Sequence, residues 1–413
     1  MDFEDSPEEA EFRAKARAFL EKNAPRRDGA NMVYRAGHAD ANFLAEGKAW
    51  QAKKAAAGYA GITWSKEWGG QGGTAIQQVI YDQEEAQFGI PRGLFDIGLG
   101  MCVPTLCTWG TQEQRDRFAA KALRGEEIWC QLFSEPAGGS DLAALRMSAV
   151  RDGDDWVVNG QKIWTSGAHY SDWGVLVTRS DFGAKKHRGL TYFFLDMTSP
   201  GIDIRPIKQI SGASHFNEVF FNDVRIPDSQ RLGNVGDGWK VSLTTLMNER
   251  YTIGGRAGVD VDEVIALARE VELEDGPAMK NQGVRDKLAD WYVMSRGLKY
   301  SHFRTMTALS RGDTPGPESS IGKLVLGNKL QSMAAFAMDL LEEGGVVSDP
   351  KYAPMSALFQ QTLLNSPSSR IAGGSDEILR NIIAERVLGL PPDIRVDKDL
   401  PFNEVPTGKG ERK

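Results

Sequence analysis

Two stretches of the sequence bring together small hydroxyl residues, bare backbone and an aromatic side chain. Residues 131–146 read "QLFSEPAGGSDLAALR", and residues 159–173 read "NGQKIWTSGAHYSDW". Ser134, Ser140, Thr165 and Ser166 can donate and accept hydrogen bonds, Gly138 and Gly139 let a ligand approach the main chain, and Trp164 offers a flat apolar wall. If both stretches lie at neighbouring strand ends, these groups meet the needs of a flavin: a wall for the ring, donors to its nitrogens and oxygens, and backbone beside a pyrophosphate. Two ordinary turns and a core tryptophan would use the same residues, because a glycine turn alone carries little information.

Two further stretches hold groups with chemical potential. "RIAGGSDEILRN", residues 370–381, sets two glycines and a serine before an amphipathic pattern. It can be read as a phosphate cradle, as a helix cap formed by Ser375 beside an approachable Gly374, or as a place from which a catalytic side chain is missing. "LTTLMNERYTIGG", residues 243–255, carries Glu249, whose three- and four-spaced neighbours are Thr245, Leu246, Thr252 and Ile253. With no lysine or arginine at those positions, the carboxylate is better placed to face a pocket or solvent than to bridge along the helix. Arg250 sits among Leu246, Met247, Ile253 and Gly254, where a buried guanidinium would need a partner.

Other chemistries lack their signatures. No GxGxxG occurs; "GGQGGTA" lacks the third glycine, and "GPESSIGKL" misses the P-loop spacing by one residue. A GxSxG nucleophile elbow is absent, and so are HExxH and zinc-type Cys/His spacings, so no metal site is expected. The three cysteines, Cys102, Cys107 and Cys130, form no CxxC pair and suit a reducing compartment. A net charge of −7 argues against nucleic acid as a partner. No apolar run approaches the roughly 20 residues of a membrane span, and the acidic start is unlike a signal or transit peptide, so a cytoplasmic location is expected.

The elements that must position these residues fall into three stretches of different period. From Glu8 to about Leu123 the pattern is helical, with segments near 42–58, 74–89 and 111–123 and a glycine-rich loop, "GITWSKEWGGQGG", between the first two of these. From Ile128 to about Leu232 short alternating runs follow, which predict a small β-barrel or sandwich, with "WVVNGQKIW" as a hairpin turning at Asn159-Gly160. The helical period then returns over about 238–272, 281–311, 318–343, 351–366 and 375–388, before a polar tail read as an extended arm or as disordered. The expected fold is therefore mainly α with a central β domain. Its expected bounds are an N-terminal helical domain over 1–127, a β domain over 128–236, a C-terminal helical bundle over 237–390 and a tail over 391–413.

In four places the chain resembles the acyl-CoA dehydrogenase family, in the family's order and across nearly the whole length. "FSEPAGGSDLAALR" is similar to the Thr/Ser-Glu-Pro-x-Ala-Gly-Ser-Asp signature, with Gly138 where alanine is usual, and "VVNGQKIWTSGAHYSDW" is similar to the second signature. "WSKEWGGQGG" resembles the N-terminal Trp-Pro-x-x-x-Gly-Gly loop, and "EILRNIIAERVLGLP" the closing helix. The resemblance implies an N-terminal helical domain, a small β domain and a C-terminal four-helix bundle. It implies FAD as cofactor, with Gln131, Phe133, Ser134, Gly139 and Ser140 in contact, Trp164 and Thr165 beside the ring, Ser166 donating to it, and Gln282, Gly374 and Ser375 contributing. Ser140 and Arg250 are implied near the acyl-CoA substrate. A salt bridge to a carboxylate is an equal reading for Arg250.

In many family members the base that removes the α-proton is a glutamate just before a Gly-Thr/Ser at the start of the last helix. The matching position here is Gly373. Isovaleryl-CoA and long-chain acyl-CoA dehydrogenases place their base in a Glu-Arg pair on an earlier helix, which "NER" resembles, and so the resemblance carries that role to Glu249. Asp376 and Glu377 are the alternatives. The family's Arg-x-x-Phe is missing, with Val271 at the arginine position, and Met247 replaces an aspartate common in straight-chain enzymes. The implied partners are an acyl-CoA, an electron-transfer flavoprotein as acceptor, and further subunits in a homo- or hetero-oligomer, a dimer of dimers. A flavin monooxygenase of the same fold and a non-catalytic partner subunit are the competing readings.

Overall fold

A computed structural model describes residues 5–26, 40–253, 259–310, 316–395, 397 and 399–405, without the side chains of residues 250–253, 306, 309, 310 and 319. The first helices are α1 (Pro7–Asn23), α2 (Ala41–Ala56), α3 (Ala75–Glu85), α4 (Val103–Trp109) and α5 (Gln112–Leu123). The strands β1 (Trp129–Leu132), β2 (Ser148–Asp152), β3 (Asp155–Ser166), β4 (Trp173–Arg179), β5 (Leu190–Asp196), β6 (Ile202–Ile207), β7 (Phe216–Pro227) and β8 (Arg231–Leu232) follow. Then come α6 (Gly238–Ile253), α7 (Val261–Glu270), the short pair β9 (Glu272–Leu273) and β10 (Gly276–Pro277), α8 (Gln282–Ser310), α9 (Ser319–Leu341), α10 (Leu358–Asn365) and α11 (Asp376–Ile382). The chain divides into two compact units, one of residues 1–34, 73–90 and 253–392, the other of residues 35–72, 91–252 and 393–413.

The second unit is built on an eight-stranded sheet of order β6-β7-β3-β2-β4-β5-β8, with β1 parallel to β4. Strands β4 and β5 are buried on both faces: Val175, Val177, Tyr192 and Phe194 enter one apolar cluster with α4 and α5, while Leu176, Phe193 and Leu195 enter another. Two-sided burial explains why their sequences are continuous apolar runs rather than alternations. The second cluster also takes Trp156 of β3 and Val219 and Phe221 of β7, strands far from β5 in the sheet order, so the sheet curls over on itself. The Trp156 and Phe193 rings are 5.5 Å apart across that fold.

Asn159-Gly160 is not a hairpin turn. Strand β3 runs through it as one element, with a register shift against β7 between Val158 and Gly160. The Asn159 amide is used across the strands, donating to Asp223 Oδ1 and accepting from the Asp223 N–H, both at 2.9 Å. Gly160 has φ +146°, and a Cβ there would lie 2.8 Å from Met147 Cγ. The dipeptide thus makes a bulge, one of the recognised uses of glycine in a strand. The hairpin turn falls at Gly153-Asp154, between the paired residues Asp152 and Asp155.

In the first unit, Ser6 and Glu9 cap α1 reciprocally, and Glu84 of α3 binds Arg17 and Arg13 of α1. Helices α7, α8, α9 and α10 share a core of Val264, Leu267, Leu288, Trp291, Met333, Ala337 and Phe359. Three helical boundaries differ from the periodicity reading. The stretch expected as one helix over 238–272 contains α6 and α7. The helix expected from 351 starts at Leu358, because Met355, Ser356 and Ala357 adopt positive φ. Residues 98–109 form a π-turn leading into α4, concealed in the sequence by Gly98, Gly100 and Pro104.

Candidate active site

Beyond β1 the chain leaves the sheet as the loop Phe133–Arg146, which buried charges hold in place. Glu135 Oε1 accepts from Lys162 Nζ at 2.9 Å and from the Met147 N–H at 3.0 Å, while Oε2 accepts from the Arg146 N–H at 2.7 Å. Lys162 also donates to Phe133 O at 3.0 Å. Burial pushes the Lys162 pKa down, against the pull of the Glu135 charge. Arg179, fully buried, donates to Leu145 O (3.0 Å), Lys186 O (3.1 Å) and Ala143 O (2.6 Å). Its pKa is pushed down by burial to about 10, so it stays charged at neutral pH.

This framework sets the hydroxyl residues beside the second signature. The Ile163 N–H donates to Ser134 O at 2.9 Å, which joins the loop to β3. Gln131 and Ser134 are half-buried and Ser140 is exposed. Phe133 is buried and meets Tyr192 edge-on at 5.9 Å. A Cβ on Gly139 would meet nothing within 4 Å, so the main chain there faces open space.

Trp164 stands at a second register shift of β3, between Lys162 and Thr165. Its φ is +60°, unusual for a bulky residue and costly in backbone energy. It is not a core tryptophan, for it is 55% exposed, with its ring edge-on to Phe216 at 5.9 Å. Asn217, fully buried, over-determines this turn. Its amide nitrogen donates to Thr165 O (2.8 Å) and His215 O (3.2 Å), and its oxygen faces His169 Nδ1 at 3.0 Å. An amide oxygen only accepts, so His169 Nδ1 carries the proton. Ser166 is half-buried. Thr165 Oγ1 is buried and meets no hydrogen-bond partner among the described residues.

Helix α6 carries Glu249 in the same unit. Its anchor is Thr245, whose buried hydroxyl lies 2.9 Å from Tyr192 Oη and 3.0 Å from Thr105 Oγ1. Trp109 Nε1 donates to Thr244 Oγ1 at 3.0 Å. Glu249 is four residues beyond Thr245, one helical turn on, and half-buried. The Cys102 thiol is raised well above its usual pKa by burial first, then by Cys130 and by the Glu249 charge. Leu243 and Met247 are exposed on the helix. The side chain of Arg250 lies outside the described residues.

Gln282, Gly374 and Ser375 belong to the other unit. Gln282 opens α8 and donates its amide to Asp286 at 2.6 Å. Ser375 is the N-cap of α11 and accepts from the Ile378 N–H. Gly373 and Gly374 have φ of +67° and +96°, and the Gly374 carbonyl accepts from Lys323. Asp376 is buried and paired with Arg370 at 2.7 Å.

Sequence reasoning missed Glu135, Lys162, Arg179 and Asn217, which hold the signatures without belonging to the expected ligand set. One signal was available for Lys162, which keeps the inward parity of Trp156 and Val158 along β3. Among the described residues, no helix is long and apolar enough to cross a membrane.

Comparison with known proteins agrees with this architecture. Models of the N-terminal, middle and C-terminal domains of acyl-CoA dehydrogenases match residues 6–126, 130–224 and 236–388. The chain is 40% identical to the acyl-CoA dehydrogenase FadE34 of Mycobacterium tuberculosis over 78% of its own length, but it spans only 43% of that relative. It is 35% identical to the acyl-CoA dehydrogenase IpdE1 of the same organism over 93% of this chain and 98% of the relative. The solved Tcur3481-Tcur3483 steroid ACAD superposes with a TM-score of 0.81 at 27% identity, covering 95% of this chain and all of that one. The chain therefore belongs to the acyl-CoA dehydrogenase family, a family of FAD-dependent oxidoreductases.

Proposed function

We propose that the chain oxidises an acyl-CoA thioester to the 2,3-enoyl-CoA, with FAD as cofactor and Glu249 as general base. The main support is the place of Glu249, a half-buried carboxylate on α6 in the same compact unit as Trp164, Ser134 and Ser140, in a chain with glycine at the alternative base position. The exposed face of Trp164, the Thr165 hydroxyl without a hydrogen-bond partner among the described residues, and the open space over Gly139 fit a flavin ring and its phosphates. Gln131, Phe133, Ser134, Ser140 and Ser166 complete the set in this unit, while Gln282, Gly374 and Ser375 are proposed for the cofactor on the family resemblance alone. Bound FAD supplies a hydride acceptor.

Glu249 takes the α-proton on a carboxylate oxygen as the α C–H bond breaks. The C2–C3 double bond forms as the β-hydrogen leaves with its electron pair, and Glu249 is left protonated. Thr245, locked to Tyr192 and Thr105, fixes the helix that aims this carboxylate. Ser140 and Arg250 are proposed to contact the substrate. The exposed Leu243 and Met247 favour an apolar acyl group, and the structural neighbour is itself a steroid ACAD. An electron-transfer flavoprotein is the proposed acceptor.

One observation favours assembly with a second kind of chain. Val271, at the position where the family resemblance calls for an arginine, packs against the apolar core of the C-terminal bundle. A side chain turned inward here leaves that contact to another subunit, and the solved relative is named as a pair, Tcur3481-Tcur3483.

The test is anaerobic addition of acyl-CoAs to the purified chain while its visible spectrum is followed. Loss of the flavin band is expected, and Glu249→Gln should retain flavin yet slow bleaching roughly 10²- to 10⁴-fold. Equal bleaching by the variant would transfer the role to Asp376 or Glu377. A colourless chain that takes up flavin only with a co-expressed relative would favour the partner-subunit reading.

A further inference from the structure

The segment after Leu390 lies beyond the three matched stretches, the last of which ends at residue 388. From Asp397 on, its described residues are nevertheless built into the β unit. Phe402 is 2% exposed. Its ring lies 3.4 Å from the guanidinium carbon of Arg179, 5.1 Å from that of Arg146 and 6.0 Å from the Phe182 ring. The Phe402 N–H donates to Ala184 O at 2.9 Å and the Asn403 N–H to Phe182 O at 3.0 Å. Lys186, 5% exposed, donates to Asp141 at 2.6 Å and also to Asp397. Lys185 reaches Asp399 at 2.9 Å.

Two of these anchors, Lys186 and Arg179, have their other contacts on the first signature loop. Asp141 belongs to that loop and Arg146 closes it, while Arg179 holds its Ala143 and Leu145 carbonyls. Arg179 and Lys186 are buried cations, and such groups persist only where the surroundings compensate their lost hydration. The Phe402 face compensates the first as a cation–π partner, and the Asp397 carboxylate compensates the second as an ion pair. Burial lowers the Lys186 pKa, but its bonds to Asp141 and Asp397 outweigh that and raise it overall, so the lysine stays charged and the bridge persists at neutral pH.

We propose that the C-terminal arm is a positioning element of the active site. Asp397, through Lys186, and Phe402, through Arg179, hold the Asp141–Arg146 limb of the signature loop, and so keep Gly139 and Ser140 in ligand-ready form. What the loop receives rests on the flavin reading above, whereas the tether itself does not. Asp397 and Phe402 act through other residues and touch neither reacting group.

The test compares the full chain with a chain ending at Leu390 and with Phe402→Ala, Asp397→Asn and Phe402→Tyr, by hydrogen exchange and by FAD titration. Truncation and Phe402→Ala are expected to speed amide exchange over residues 137–147 and weaken FAD binding roughly ten- to hundred-fold. Exchange in α7–α10 should stay unchanged. Asp397→Asn should move both readouts the same way by less, and Phe402→Tyr should preserve both. A synthetic peptide of residues 391–413 added to the truncated chain should restore loop protection. Unchanged loop exchange in both Phe402→Ala and Asp397→Asn would overturn the proposal, including where the truncated chain fails to fold. If the full chain binds no FAD while removal of the arm still frees the loop, the tether stands and the flavin reading fails.

Discussion

Lys162 Nζ lies 2.9 Å from Glu135 Oε1, with Lys162 fully buried and Glu135 8% exposed. An ion pair so far from water is held by geometry, and removing one partner leaves the other charge uncompensated. Lys162→Met is therefore expected to lower unfolding free energy by about 3–5 kcal/mol, read by denaturant titration. The double variant Glu135→Gln/Lys162→Met should lose less than the sum of the two single variants. Additive losses would show that the pair is not coupled.

Trp164 combines a left-handed backbone with an exposed ring. Trp164→Gly should relieve strain of about 1–2 kcal/mol while removing the aromatic wall. Thermal stability of the flavin-free chain is therefore expected to hold or rise, and flavin affinity to fall. Parallel losses of both would mean that the ring is wanted for packing, not for a ligand.

Glu84 predicts an acid limit for the N-terminal helix. Its hydrogen bond from Arg17 holds the carboxyl below its ordinary 4.5, burial opposes this, and Arg13 adds to the lowering. A depressed carboxyl contributes stability in full above the ordinary value and loses it as pH falls through the folded value. Glu84→Gln should cost about 1–3 kcal/mol at neutral pH, and the gap from wild type should narrow as pH falls below the ordinary 4.5 and through the lower folded value. A gap independent of pH would exclude the ion pairs as its cause.

The cysteines should be silent in the native protein. Burial raises Cys102 well above the usual thiol value and pushes Cys107 and Cys130 up to about 12. Because the thiolate is the reactive form, an aromatic disulfide reagent at about pH 8 should label none of the three before denaturation and all of them after. Rapid labelling of any one would show that its pocket opens.

The helical, β and helical stretches could be read from the sequence because their hydrophobic periods differ, and the period survives folding wherever an element has one buried face. Residues that break the period for tertiary reasons could not be read. Asn159-Gly160 has the composition of a hairpin turn, but Met147 and Asp223 make it a bulge, and neither is near it in sequence. Met355–Ala357 show no glycine to announce their positive φ. The Ser134, Ser140 and Trp164 stretches were proposed from residue type. Arg179 gave no such signal and the strand parity of Lys162 was passed over, since a charged residue in a strand reads as outward until its buried acceptors are known.

The backbone at Gly373 limits which side chains its position can carry. At φ +67° it occupies a region that L-residues enter at a cost of roughly 1–2 kcal/mol. A glutamate introduced there starts with that handicap. A carboxylate built at position 373 would therefore carry a backbone cost that one on the regular helix α6 does not.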